Sequence, residues 1–430
     1  PTINAVLGEQ RTRRADVQFK PRGNGVQETA EVLTKLYLQI ADNNKMDWLE
    51  SQVFADGLIQ DRGYYDVRID FKDHIQGEVR VTTKDPLDIL IDPDAKEYDP
   101  RTWNEIFETK WMSLDQIEEQ YGQEQADRLR VAAEYGDTMG QDSVEYEETR
   151  YGDTYTGVEY SQSATANPEE NRQLRAIRVI ERQYYQLKEC MYYVDEVTGD
   201  MRAVPQNWSK RKREKFADDF GLDILTRQDR KVRWTVTADK VVLHDDWSPY
   251  DCFTIVPYFP YWRRGRPFGM VRNLISPQEQ LNKISSQELH IVNTTANSGW
   301  IVETGSLQGM TADDLEEHGA ETGLVLEYNR GSSPPAKIPP NQIPTGLDRI
   351  SQKAALNIKQ ISGISDAMLG MDSPEVSGVA IRAKQNRGAT MIQVPLDNLV
   401  KTRQYLAEHI LFMIQRFYTE ERIVQITDDS

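Results

Sequence analysis

Two clusters in the 430-residue chain place ligand-type side chains close together: His244-Asp245-Asp246, and Asp313-Asp314-Leu315-Glu316-Glu317-His318. Carboxylates and imidazoles at such spacing could hold a hard divalent cation, and a metal-dependent hydrolase would be the chemistry. Every supporting signature is missing: there is no Walker A run, no glycine fingerprint after a strand, no nucleophile elbow, no HExxH and no calcium loop. Solvated turns and a charged helix face are the simpler reading. Cys190 and Cys252 sit in no CxxC motif and beside no histidine in sequence, which argues against a zinc site or a disulfide framework. The expectation is a protein that is not an enzyme and needs no cofactor or metal.

Basic residues raise a different possibility. Lys210 to Lys215 holds five bases in six residues, offset by Glu214, Asp218 and Asp219, and reads as an exposed helix face. From Ser377 to Tyr418 six bases (Arg382, Lys384, Arg387, Lys401, Arg403, Arg416) face two acids (Asp397, Glu408). Three of those bases crowd the start of a helical stretch, where cations oppose the helix dipole, so an anion or an acidic neighbour is needed to explain them. The whole chain runs the other way, with 51 Lys plus Arg against 69 Asp plus Glu and a formal charge of −18. That charge disfavours any protein that grips nucleic acid through a broad basic surface.

The elements that must carry these residues divide the chain. From Gln27 to Gln60 helical periodicity with a polar break at Ala41-Asp42-Asn43-Asn44 predicts two helices. Short strands follow at 65–69, 79–81, 89–91 and 106–111, and Ser113-Leu114-Asp115-Gln116 is a capping box opening a helix. The segment 134–170 carries ten acids and one base and reads as an exposed acidic excursion. Strands return at 176–187, 191–194, 232–236 and 241–244, so residues 1–260 read as one α+β domain.

The last third is helical. Ser276-Pro277-Gln278-Glu279 predicts a helix with Ser276 as N-cap, running to about Gly299. Strand-like Trp300-Ile301-Val302 and Gly323 to Glu327 flank a short helix capped by Thr311, and the prolines from Pro334 to Pro344 predict irregular chain. A second helix carries Leu347, Ile350, Ala354, Ile358 and Ile361 and stops at Gly363. After the loop 364–378, one helix of about 40 residues is expected over 379–418, kinked at Pro395. No apolar run approaches the roughly 18 residues needed to span a bilayer, and the N-terminus lacks a signal-peptide core, so a membrane or secreted location is not expected. The chain starts on Pro1 and ends on a helical stretch, and is expected to be a fragment of a longer protein.

The order Arg266-Pro267-Phe268-Gly269, Ser276-Pro277-Gln278 with Asn282, then Ile361, Gly363-Ile364, Ala367 and Leu369-Gly370, then Ser377-Gly378 with Ala380 before a long helix, resembles the portal proteins of tailed bacteriophages, best those of short-tailed phages. Asp92-Pro93 and Asp99 are similar to that family's wing region. The resemblance implies an elongated α+β subunit: a mixed α/β wing over 1–260, a first stem helix and its entry over 261–297, a small α/β clip over 298–344, and a second stem helix over 345–363. It further implies a tunnel loop over 364–378, a long wing or channel helix over 379–418, and the start of a truncated crown over 419–430.

The implied assembly is a ring, usually of twelve copies, at one capsid vertex of the virion, built in the host cytoplasm. Double-stranded DNA passes through it, and its partners are the terminase large subunit, tail adaptor proteins, capsid and scaffolding proteins. On this chain the resemblance puts Asp366, Met368, Leu369, Met371, Asp372, Ser373 and Glu375 in the channel loop. Arg382, Lys384 and Arg387 become the bases facing DNA or a neighbouring subunit, and Asp313, Asp314, Glu316 and Glu317 the docking surface of the clip. An acidic channel would let DNA slide, because counterion release at many phosphates would otherwise hold it. Another ring-forming head-to-tail adaptor is the near alternative, and the metal-dependent hydrolase the remote one.

Overall fold

The computed structural model describes residues 2–14, 16–21, 27–72, 75, 77–135, 177–195, 199, 201–204, 208–296, 299–319, 321, 323–338, 346–364 and 392–419. Two compact units share the chain: one holds Gln10–Gly269 and Val394–Ser430, the other Pro1–Glu9 and Met270–Gln393. In chain order the elements run α1 Thr2–Thr12, α2 Gln27–Asn43, α3 Met46–Gln60, β1 Gly63–Asp70, β2 Glu78–Lys84, β3 Ile89–Ile91, β4 Glu105–Met112, α4 Leu114–Tyr121, α5 Gln123–Tyr135 and β5 Ile177–Val194. They continue β6 Met201–Ala203, α6 Lys210–Phe220, β7 Asp223–Ala238, β8 Val241–Trp247, β9 Ile255–Tyr258, β10 Tyr261–Arg263 and β11 Arg266–Phe268. Then come α7 Ile275–Ala296, β12 Trp300–Ile301, α8 Ala312–His318, β13 Ala336–Lys337, α9 Gly346–Ser362 and α10 Gln393–Phe417.

In the first unit the polar break between the two expected helices is a turn with a second task. Asn44 at the end of α2 donates to the Val79 carbonyl at 2.9 Å and accepts from the Val81 N–H at 2.9 Å, tying the helical pair to β2. β1 lies between β2 and β9 in a three-stranded sheet. A six-stranded antiparallel sheet runs β3-β4-β5-β7-β8 with β6 on β5. The capping box of α4 forms as expected, with Gln116 N–H donating to Ser113 Oγ and Gln116 Oε1 accepting from the Ser113 N–H. α4 and α5 cover one face of the large sheet by burying Ile117 and Leu129 against Met112, Ile177, Val179 and Val236.

The strands expected separately at 176–187 and 191–194 are one 18-residue strand, and the one expected at 232–236 begins at Asp223. β5 and β7 pair continuously from Val179↔Ala238 to Val194↔Asp223. Beyond Leu187 the hairpin leaves the main core, so its side chains lose the apolar alternation while the backbone ladder goes on. Its far end has a small core of Tyr193, Val204 and Ala217, with Trp208 and Phe216 of the α6 region packed on it.

α10 buries Leu396, Leu399, Leu406, Ile410 and Met413 in an apolar stripe. It docks on β9 and the residues after it: Thr402 Oγ1 donates to the Pro257 carbonyl at 3.0 Å, and Tyr258 Oη donates to the Pro395 carbonyl at 3.1 Å. The expected kink at Pro395 is absent. Ile392 lies in a turn and the helix starts at Gln393, so Pro395 falls in the first turn, where a backbone N–H has no helical acceptor to lose. Positions 379–391 of the expected helix lie outside the described residues, as do the acidic stretch from 136 to 170 and positions 420–430 of the expected crown.

In the second unit α7 and α9 pack on each other. The N-cap expected at Ser276 lies inside α7 instead. A 3-10 turn at Val271–Asn273 leads in, and the Gln278 N–H bonds the Leu274 carbonyl at 3.1 Å, so the helix is already under way when it reaches Ser276. Between the helices, β12 pairs with β13, and the Ile338 N–H extends that ladder to the Gly299 carbonyl at 2.8 Å. Among the described residues the strand expected at 323–327 has no ladder: beside it lie the Leu307↔Tyr328 bridge and the Gln308 N–H to Glu327 carbonyl and Asn329 N–H to Ser306 carbonyl bonds. The proline-rich run, expected to be irregular, supplies β13 between Pro335 and Ile338. α9 ends where expected, with Gly363 at φ 70°, a conformation that costs glycine nothing.

Candidate functional site

The channel-loop residues Asp366, Met368, Leu369, Met371, Asp372, Ser373 and Glu375, and the bases Arg382, Lys384 and Arg387, lie outside the described residues. What the structure gives is the two helices that flank them. At one end Ser362 Oγ donates to the Lys359 carbonyl at 3.0 Å and accepts from the Ile364 N–H at 3.3 Å, closing α9 over a buried Ile364. At the other end α10 is anchored through its first turn.

Three of the six bases counted on the long helical stretch are described, and each is engaged. Arg403 forks onto Glu50 of α3. Lys401 stands 5.0 Å over the Tyr98 ring and 5.8 Å over that of Tyr405. Arg416 pairs with Asp251 at 3.5 Å. The three described bases of this stretch are thus engaged within their own unit.

The short acidic helix α8 forms as expected. Thr311 accepts from the Asp314 N–H at 3.2 Å and Asp314 Oδ2 accepts from both the Thr311 N–H and its hydroxyl, a complete capping box that holds the Asp314 carboxyl below the usual range. Leu315 is buried, and Trp300 Nε1 donates to the Gly319 carbonyl at 2.9 Å, pinning the helix end to β12. Asp313, Glu316 and Glu317 are exposed, while Asp314 is spent on the cap.

The other ligand-type cluster is tied into the sheet. Asp245 is bound by Arg233 at 2.7 and 2.8 Å and by Thr235 at 2.8 Å, and these bonds lower its pKa to about 2. Among the described residues no three His, Cys, Asp or Glu side chains come together as a metal set. None of the described helices is long and apolar enough to cross a membrane.

Three arrangements escape sequence reading. Arg68 of β1 meets Asp66, Glu108 and Glu181 at 2.8 to 3.0 Å, and Lys84 and Lys110 complete a cluster of three cations and three buried carboxylates between the two sheets. Burial pushes the carboxyls of Asp66 and Glu181 up, but Arg68 and its lysine neighbours outweigh it and hold both below their ordinary values. The alternation of β1 by itself would turn Asp66 and Arg68 to water. Second, Cys252 Sγ lies 2.9 Å from His409 Nδ1, although the sequence offered no Cys–His pair. Burial raises the thiol to about 12 and lowers the imidazole to about 4, so the contact joins a neutral thiol to a neutral imidazole.

Third, Gly269, which ends the Arg266-Pro267-Phe268-Gly269 motif, has a packing reason. Its N–H donates to Asp61 Oδ1 at 2.6 Å, and a Cβ would sit 2.7 Å from the carbonyl oxygens of Gly57 and Leu58. The motif is the point where the chain passes tightly against the end of α3.

No curated protein matches the chain. The family model of the phage P22-like portal proteins matches residues 1–430, the full length given. Its match carries the resemblance seen in the motifs to the level of membership: the chain belongs to the phage P22-like portal protein family.

Proposed function

We propose that the chain is the subunit of a twelve-membered ring whose channel conducts double-stranded DNA during packaging and ejection. The portal role, the oligomeric ring and the place at the phage capsid go with family membership, and the family is structural, not enzymatic. Within this reading residues 1–260 form the wing, 261–297 the first stem helix and its entry, 298–344 the clip and 345–363 the second stem helix. Residues 364–378 form the tunnel loop, 379–418 the long wing or channel helix and 419–430 the start of a crown.

One observation supports the ring most directly. α7 and α9 pair, yet Leu289 and Val292 of α7 and Leu356 and Ile361 of α9 are 48–63% exposed. A two-helix pair has no core of its own, and an apolar surface of this kind is covered by neighbouring copies. In this reading the terminase large subunit and tail adaptors dock on α8 through Asp313, Glu316 and Glu317, and capsid and scaffolding proteins contact the wing. Met368, Leu369 and Met371 meet the duplex by shape, and Arg382, Lys384 and Arg387 center it or retain it after packaging. Negative-stain imaging of the purified chain at micromolar concentration tests the proposal. Closed rings with a central hole and a subunit count of twelve are expected, and a stable monomer would end it.

A further inference from the structure

α10 is held to its unit in two different ways along its length. Over the first half the bonds run to backbone carbonyls: Tyr258 Oη donates to the Pro395 carbonyl at 3.1 Å, Asn398 Nδ2 to that of Pro260 at 2.9 Å and Thr402 Oγ1 to that of Pro257 at 3.0 Å. The Arg403–Glu50 pair closes this stretch. From Leu406 on, Arg101 reaches Glu408 at 3.1 Å and Arg416 reaches Asp251 at 3.5 Å, in pairs whose side chains are 40–54% exposed. Exposed pairs hold weakly.

His409 is the buried polar side chain of that second half, 6% exposed. Its Nδ1 lies 2.9 Å from Cys252 Sγ, and its Nε2 is buried with no hydrogen-bond partner among the described residues. The charges on the elements around it are already matched. Asp66 of β1 is held by Arg68 and Lys84, with Glu108, Glu181 and Lys110 in the same cluster. Asp251, beside Cys252, is held by Lys231 and Arg416, and Glu408 by Arg101. Asp66 favours the charged ring, but burial outweighs it and keeps the imidazole neutral. Tyr250, Tyr405 and the Cys252 thiol stay neutral too, since burial pushes each above its ordinary value.

We propose that His409 is an acid-sensitive latch on the second half of α10: a proton taken up there breaks its contact with Cys252 and frees 406–417 locally, while 394–403 stays bound. An imidazolium has two N–H donors, and this site offers Nδ1 only a weak sulfur acceptor and Nε2 none among the described residues. An unpaired buried charge is the costly state, and a helix end escapes it by opening to water. Leu406, Ile410, Met413 and Ile414 are buried on the same half and resist release. The open form is therefore a minority state whose population rises with proton uptake. The latch lies within one unit and does not depend on ring formation.

Amide hydrogen exchange of the full chain, read by peptide mass spectrometry at pH 7 and pH 5 and corrected for the intrinsic effect of pH, tests the latch. Opening of 406–417 is expected to rise about twentyfold from pH 7 to pH 5, the linkage ratio for a histidine that takes its proton near 6.5 when exposed and near 4 when buried. Opening of 394–403 is expected to stay as it was. His409→Leu, which keeps the site filled and removes the titrating group, is expected to abolish the rise. Exchange at the His409 ring C–H, whose rate follows the protonation of its own imidazole, gives a second reading in the parent chain should the variant fold poorly, with a midpoint well below 6.5 expected. The proposal is overturned by a parent helix with no rise, by a rise shared equally with 394–403 and the β5–β7 ladder, by a rise that survives His409→Leu, or by a ring C–H midpoint near 6.5 in the folded chain.

Discussion

Arg403, set in the apolar stripe of α10, donates through Nε and Nη2 to the carboxylate of Glu50 on α3, with both side chains only 13% exposed. Glu50 also accepts from Gln10, so three helices meet at one carboxylate. Removing one partner of a buried pair strands the other charge and costs about 3–5 kcal/mol. Arg403→Met should lower the denaturation midpoint of the Gln10–Gly269 unit by that amount, and Glu50→Gln in the same chain should restore part of it. Equal losses in the single and double variants would show that the pair contributes by packing alone.

Acid should destabilise the protein in two stages. The folded pKa of His409 is near 4, below the ordinary 6.5, so the unfolded chain binds more protons between those values and stability falls as pH drops through that window. The size is on the order of 3 kcal/mol by the linkage relation. Asp66 and Glu181, whose folded pKa values are also lowered, add a second loss at more acid pH as they take up protons. Urea midpoints from pH 8 to pH 4 read the first stage, and His409→Leu should flatten it.

The two cysteines should differ in reactivity. Both are partly exposed, but desolvation raises the Cys252 thiol to about 12 and its sulfur contacts His409, whereas Cys190 lies on the outer part of β5. Only thiolate reacts with alkylating agents. At pH 8 Cys190 should be modified and Cys252 protected until the unit unfolds, as read by peptide mass spectrometry.

Gly269→Ala should destabilise the same unit by about 1–3 kcal/mol, the usual cost of overpacking. The clash is with backbone oxygens of Gly57 and Leu58, which cannot swing aside as a side chain would. A thermal melt unchanged from the parent would show that the end of α3 yields.

Charge reversal at Arg382, Lys384 and Arg387 together should reduce retention of packaged DNA with ring assembly intact, and deletion of Asp366 to Glu375 should impair packaging in the same way. Loss of assembly would make these segments structural. On α8, Asp313→Lys/Glu317→Lys should weaken partner docking at unchanged stability, while Asp314→Ala should cost about 1 kcal/mol through the lost cap. Binding and melting measurements on the two sets separate docking from capping.

Much of this was legible in one dimension. Helix periodicity located α2, α3 and α9, and the capping residues Ser113 and Thr311 act where their types said, because each satisfies a backbone N–H within its own turn. Signals that depend on partners far along the chain misled. Ser276-Pro277-Gln278-Glu279 has the form of a helix start, but the 3-10 turn upstream had already begun the helix. The extended run at 323–327 found its natural partner strand taken by Ala336–Lys337. Cys252 and His409 touch although 157 residues separate them.

By itself the sequence determined the α+β class, the helical last third, the motifs that place the chain among portal proteins, and the −18 charge that disfavours a broad basic grip on DNA. These follow from local rules of periodicity, capping and composition. Only the tertiary structure decided where the charges go. It buried Arg68 among three carboxylates, spent Arg403 on Glu50, and set α4 and α5 against one side of the large sheet. The reason is physical: a charge is defined by its residue, but its cost and its partner are defined by the elements that fold against it.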